Sequence, residues 1–140
     1  MEMQIRQYFL SPASGKRLIA KSVLFIPSIV EALENRTIVI IAGTTNGYIA
    51  EEIFKKTGQI SEFSKRRFFR GISLPHKYVT TNTGRLSDES EFPGDVVIVK
   101  GKWDKGKTIF DVADSLQKGD VIIKGANAVN LDSMQAAVYI

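Results

Sequence analysis

Thr37 to Gly58 constrains this chain more than any other stretch; it reads TIVIIAGTTNGYIAEEIFKKTG. Thr37 to Ala42 is β-branched and uncharged, the pattern of a strand buried on both faces. Gly43-Thr44-Thr45-Asn46-Gly47 follows as turn formers. From about Asn46 the period becomes helical, with Ile49, Ala50, Ile53 and Phe54 on one face. Glu51 and Glu52 in the first turn and Lys55 and Lys56 in the last match the helix dipole, and Gly58 supplies a left-handed stop. A buried strand thus runs through small residues into a helix N-terminus. Amides and hydroxyls converging there make an anion-binding geometry, with phosphate the commonest guest.

The rest of the chain alternates in the same manner. Met3 to Leu10 suggests a first strand, and Ser14 is placed to cap the helix after it. Ile19, Val23, Ile26, Val30 and Leu33 keep a helical spacing that Pro27 interrupts. Proline favours the first position of a new helix, so two abutting helices are expected, the second from Pro27 to Asn35. Gln59 to Asp95 is the least regular section, with His76 beside a proline and an exposed loop over Thr80 to Glu91. Pro93-Gly94-Asp95 makes a turn and Val96 to Val99 a strand, followed by a polar loop from Lys100 to Gly106. Thr108 to Gln117 forms a short helix, capped by Thr108 with Asp111 at its third position. Asp120 to Lys124 is a further buried strand, leading into the loop Gly125-Ala126-Asn127-Ala128-Val129-Asn130. Gln135 to Ile140 is a last element without a polar tail, which fits an end packed into the body or a piece of a longer chain. Strands alternating with helices predict a single α/β domain over residues 1–140, a three-layer α/β/α arrangement with a mostly parallel sheet.

Composition narrows the function. The chain is 44% apolar and 24% charged, with a net charge of +4 and a pI of 9.4. That balance permits an acidic partner without requiring one. With no cysteine and one histidine, disulfides, thiolate metal sites, a cysteine nucleophile and a histidine-rich metal site are excluded. No signal-peptide pattern opens the chain, and no apolar run approaches the ~18 residues of a membrane span. A cytoplasmic protein with no membrane partner and no cofactor is expected, with self-association covering the irregular surfaces. The one dense basic cluster, Ser64-Lys65-Arg66-Arg67-Phe68-Phe69-Arg70-Gly71, has two readings. It is a nucleic-acid or acidic-protein contact using residues 65–70, or an edge with its phenylalanines in the core and its cations in water.

The Gly43–Gly47 loop and the Lys124-Gly125-Ala126-Asn127 loop share a design, a buried strand ending in glycine and small polar residues. In a parallel sheet both open at the carboxyl edge, where α/β proteins bind ligands. On these residues the chain resembles the superfamily of ribose-5-phosphate isomerase A, glucosamine-6-phosphate deaminase and the CoA transferases. Ile38 to Asn46, preceded by Gly15 to Lys21, is similar to the isomerase's helix, strand and phosphate loop. Asp111-Val112-Ala113-Asp114 and Ile123-Lys124-Gly125-Ala126 are similar to its acidic and lysine motifs. The resemblance implies that Asp111, Asp114 and Lys124 line a sugar site, Lys124 stabilising an enediolate oxygen. The isomerase's catalytic glutamate falls on Ser133, beside Asp132. The expected function is therefore binding of a small phosphorylated or anionic metabolite by Gly43, Thr44, Thr45, Asn46, Gly47, Gly125, Ala126 and Asn127. Turnover would use Lys124 with Asp132, Asp111 or Asp114 as base.

Overall fold

The apolar run after Arg36 forms β1 (Thr37–Ile40), whose Ile38, Val39 and Ile40 are fully buried. The structure, a computed structural model, describes residues 5–69 and 94–138. The expectations for Arg70, Gly71, His76, the Thr80–Glu91 loop and Pro93 concern residues outside that set. Before β1 come α1 (Pro12–Val23) and α2 (Pro27–Asn35); after it come α3 (Thr44–Thr57) and two 3-10 turns, Ile60–Glu62 and Lys65–Arg67. Next are β2 (Val96–Val99), β3 (Lys102–Trp103), α4 (Ile109–Val112) running into a 3-10 turn at Ala113–Ser115, β4 (Val121–Ile123), β5 (Ala128–Asn130) and β6 (Gln135–Ala137).

The sheet has the order β3-β2-β1-β4. β1 runs antiparallel to β2, Ile38 opposite Ile98, and parallel to β4, Ile40 opposite Ile123. Only this second pairing is parallel, since β2 and β3 are also antiparallel. The sheet is therefore mixed, and the expectation of a mostly parallel one is corrected. An uncharged strand looks the same whichever way it runs, so Val96–Val99 could not reveal its direction. Its neighbour could. Lys100 and Gly101 both have positive φ, 48° and 77°, as a two-residue type I′ hairpin turn requires. The stretch expected as a polar loop is that hairpin.

Proline and its cap set the helices. Pro27 opens α2 and Asn35 closes it, as the spacing predicts. α1 begins two residues earlier than Ser14: Ser11 is the cap, accepting from the Ser14 amide, because Pro12 pre-sets the first helical turn. Residues 5–10 form no strand and are exposed.

Ile38 and Ile40 share a face with Ile98 and Val96 by register. That face joins Ala20 of α1, Ile29, Ala32 and Leu33 of α2, and Ile49, Ala50, Ile53 and Phe54 of α3 in one core. Of the three expected layers the described residues build two, because α4 buries none of its residues. Val39 and Val97 are fully buried on the sheet's other face. Phe68 also enters the core, and Phe54, Phe63 and Trp103 stack beside it with ring centroids 4.7 to 6.0 Å apart. β5 and β6 stand apart as an exposed two-stranded hairpin. Among the described residues no helix is long and apolar enough to cross a membrane.

Candidate functional site

Because β1 and β4 are parallel, their carboxyl ends lie side by side, and both glycine-containing segments start from one edge of the sheet. Asn46 holds that edge together. Its Nδ2 donates to the Ile41 carbonyl at 2.8 Å and to the Ile123 carbonyl at 3.1 Å. The side chain is 4% exposed, so its amide is spent on the frame. Asn46 is a clamp between two strand ends, where the sequence suggested a ligand contact.

The first segment is barely a loop. Gly43 is the N-cap of α3, and the Gly47 amide already donates to its carbonyl at 2.8 Å. Thr44, Thr45 and Asn46 therefore occupy the first helical turn, where amides lack intrahelical partners. Among the described residues no side chain caps this terminus, and its first turn holds no acidic residue. Glu51 and Glu52 lie a turn further along α3 than expected, because the helix starts at Thr44. Gly47 is buried where α3 meets the turn at Lys65, and an added Cβ would lie 3.0 Å from Lys65 Cβ. Gly47 thus serves packing. Lys16 reaches across from α1, its Nζ donating to Thr44 Oγ1 at 3.1 Å. A cation is thereby placed at the positive end of a helix dipole, where it is disfavoured without an anion.

Asp95, fully buried, lies at the same edge. Its Oδ1 accepts from the Ala42 amide and its Oδ2 from the Ile109 amide, each at 3.0 Å. It binds the segment after β1, one residue before the expected cradle, to the start of α4. The signal was present, an aspartate opening the apolar run DVVIV, but a turn accounts for such a residue equally well.

The other candidates are dispersed. Lys124 follows β4 at this edge and donates to the Gly125 carbonyl at 3.1 Å. Gly125, Ala126 and Asn127 are exposed and lead into the hairpin, with the Asn127 amide donating to the Ala137 carbonyl. Asp111 completes the expected capping box, accepting from the Thr108 amide and hydroxyl, both at 2.7 Å. The hydroxyl bond first, and then the amide, hold its carboxyl below the usual range. Asp114 lies on the following 3-10 turn and is exposed. Asp132 sits in the β5–β6 turn, where Asn130 Oδ1 accepts from its amide at 2.9 Å and from the Ser133 amide at 3.1 Å.

The basic cluster is drawn into the body. Phe68 and Phe69 are buried, and Lys65 Nζ lies 2.6 Å from Glu51 Oε1. Arg17 pairs with both Glu51 and Glu52, and Lys55 also holds Glu52. The Tyr48 ring lies under Arg17 at 4.6 Å and Lys65 at 5.0 Å. Partial burial works to raise the Glu51 and Glu52 carboxyls. Hydrogen bonds and charge outweigh it, from Lys65 and Arg17 at Glu51 and from Lys55 and Arg17 at Glu52, leaving both below the usual range. Among the described residues no group of three or more His, Asp or Glu could hold a metal.

No protein family, curated protein or solved structure matches this chain.

Proposed function

We propose that this protein binds a small phosphorylated or otherwise anionic metabolite at the N-terminus of α3. The observation that carries the reading is the uncapped first turn of α3 with Lys16 at its positive end. The amides of Thr44 and Thr45, the Thr45 hydroxyl and the Lys16 ammonium are the donors for an anion there. Lys124, on the neighbouring strand end, is the second cation. The resemblance to the sugar-phosphate isomerase superfamily makes a sugar phosphate the first ligand to try. Isomerase-like turnover needs a base near the bound carbon. Asp111 is engaged as a cap and Asp132 lies in the hairpin turn, so the geometry favours binding over turnover. Burial of Phe68 and Phe69 and the pairing of Lys65 favour this reading over a nucleic-acid contact. Self-association belongs to the same proposal, supported by the exposed Val129, Leu131 and Met134 of the hairpin.

Thermal unfolding with inorganic phosphate, pentose and hexose phosphates, CoA, nucleotides and a short RNA tests it. A ligand at a hundred times its dissociation constant adds about 2.7 kcal/mol. A salt-tolerant shift with a phosphate compound, lost in Thr45→Val while the unliganded protein melts as before, is the expected result. No shift with any phosphate, or wild-type affinity in Thr45→Val, would remove the site.

A further inference from the structure

Among the described residues the largest group of exposed apolar side chains lies between residues 5 and 26. Residues 5–30 contain Arg6, Lys16, Arg17 and Lys21 and no carboxylate. The same stretch exposes Ile5, Tyr8, Phe9, Leu10, Leu18, Ile19, Phe25 and Ile26. Phe9 is 94% and Phe25 83% exposed, so each ring would gain free energy by leaving water.

α1 organises these residues. Ala20 is its buried position, and at 3.6 residues per turn Leu18 lies about 160° around the helix from it. Leu18 therefore points away from the core, and it is 55% exposed. Ile19 and Lys21 flank that outward line, while Phe9 precedes the helix and Phe25 follows it. Leu10, Leu18 and Lys21 also line one shallow, open groove of about 530 Å³ with Ala13, Ser14, Arg17 and Tyr48. Leu10, Leu18 and Lys21 thus share one surface, with the exposed Phe9 just before α1 and the exposed Phe25 just after it. Arg17 is neutralised by Glu51 and Glu52. Arg6 and Lys21 are exposed, and Lys16 contacts the Thr44 hydroxyl.

We propose that this face docks on an anionic lipid surface, with Phe9, Phe25 and Leu18 entering the interface and Arg6 and Lys21 meeting the headgroups. Aromatic and leucine side chains ringed by lysine and arginine are the chemistry of interfacial helices. Charge complementarity chooses this occupant over a second copy, because a two-fold contact would set the same cations against each other. Projecting side chains around an open groove suit a deformable bilayer better than the fitted pocket of a protein interface. Each cation near an anionic surface strengthens binding about fivefold, and salt screens that part. The face is independent of the anion site at α3, and it departs from the expectation of no membrane partner.

Flotation of the whole chain with phosphatidylcholine vesicles, with and without phosphatidylglycerol, tests the proposal. The protein should float with the anionic vesicles and not with the neutral ones, more weakly as salt is raised. Phe9→Ser with Phe25→Ser should cost at least tenfold in binding, and Lys21→Glu about fivefold or more. Both phenylalanines are exposed, so the double variant should melt as the parent does. Absence of flotation, or flotation that the double phenylalanine variant leaves unchanged, would overturn it. So would a concentration-dependent dimer in sedimentation that the double variant dissolves while vesicles are ignored, since that assigns the face to a second copy.

Discussion

Two strand ends in this chain look alike in sequence and part company in the fold. After β1, Gly43-Thr44-Thr45-Asn46-Gly47 winds at once into α3, and Asn46 and Gly47 are buried. After β4, Gly125-Ala126-Asn127 stays exposed and leads into a hairpin that packs on little else. Glycine and small polar residues permit either outcome. The residues C-terminal to them decide between the two. Ile49, Ala50, Ile53 and Phe54 supply a helical face with a core to bury it in. Ala128 to Ala137 alternates over three-residue strands and offers no such face. A glycine-rich strand end is therefore a different object depending on whether an amphipathic helix comes next.

Substitutions at the two ends should separate them, and Asn46→Asp should do so most. It exchanges an amide donor for a carboxylate facing the Ile41 and Ile123 carbonyls, and should cost about 3 kcal/mol or more in urea unfolding. Asn46→Ala removes the donor without the repulsion and should cost about 2 kcal/mol. A smaller loss at Asn46→Asp than at Asn46→Ala would mean that the clamp is not what joins the strands. Gly47→Ala comes next. The added methyl meets Lys65 Cβ at 3.0 Å and Phe68 Cδ1 at 3.6 Å, and overpacking should exceed the gain in helix propensity by about 1 kcal/mol. A stabilised variant would show that the Lys65 turn yields freely.

Acid should also discriminate. Glu51, Glu52, Asp111 and Asp120 all titrate below their usual range in the folded protein. For Asp120 the causes are the Gln117 amide and then the Thr37 amide, which it accepts at 2.7 and 2.8 Å. Depressed carboxylates contribute their stability in full above the unfolded values and lose it as pH falls through the folded ones. The melting temperature should therefore decline between about pH 5 and pH 3. A variant carrying Glu51→Gln and Glu52→Gln should show a shallower decline, and an equal slope would mean that the α1–α3 ion network contributes nothing to it. Gly125→Ala should do least. Its Cβ meets nothing within 4 Å, so a change within about 0.5 kcal/mol is expected, and a larger loss would reveal packing on the second loop.

Much of the local structure was legible in the residues. The abutting helices around Pro27, the Thr108–Asp111 capping box and the stop at Gly58 all follow from side-chain or backbone chemistry within a few residues. The first-strand expectation failed because residues 5–10, apolar as several are, pair with no strand among the described residues. The candidate site was legible only in outline. Both glycine segments do meet at one sheet edge, but Asp95, Asn46 and Lys16 take parts that no local pattern assigns to them, since each acts on a residue distant in the chain except for Asn46 on Ile41.

The sequence by itself determined the buried strand, the helix after it, and the absence of cysteine chemistry, because periodicity and residue type act over a turn or two. Tertiary structure alone decided that β2 runs antiparallel and β4 parallel to β1. It alone decided that Asn46 clamps two strand ends, and that Lys16 stands at the start of α3. Strand direction and long-range hydrogen bonds depend on which elements find each other in space, and an apolar strand carries no mark of the neighbour it will choose.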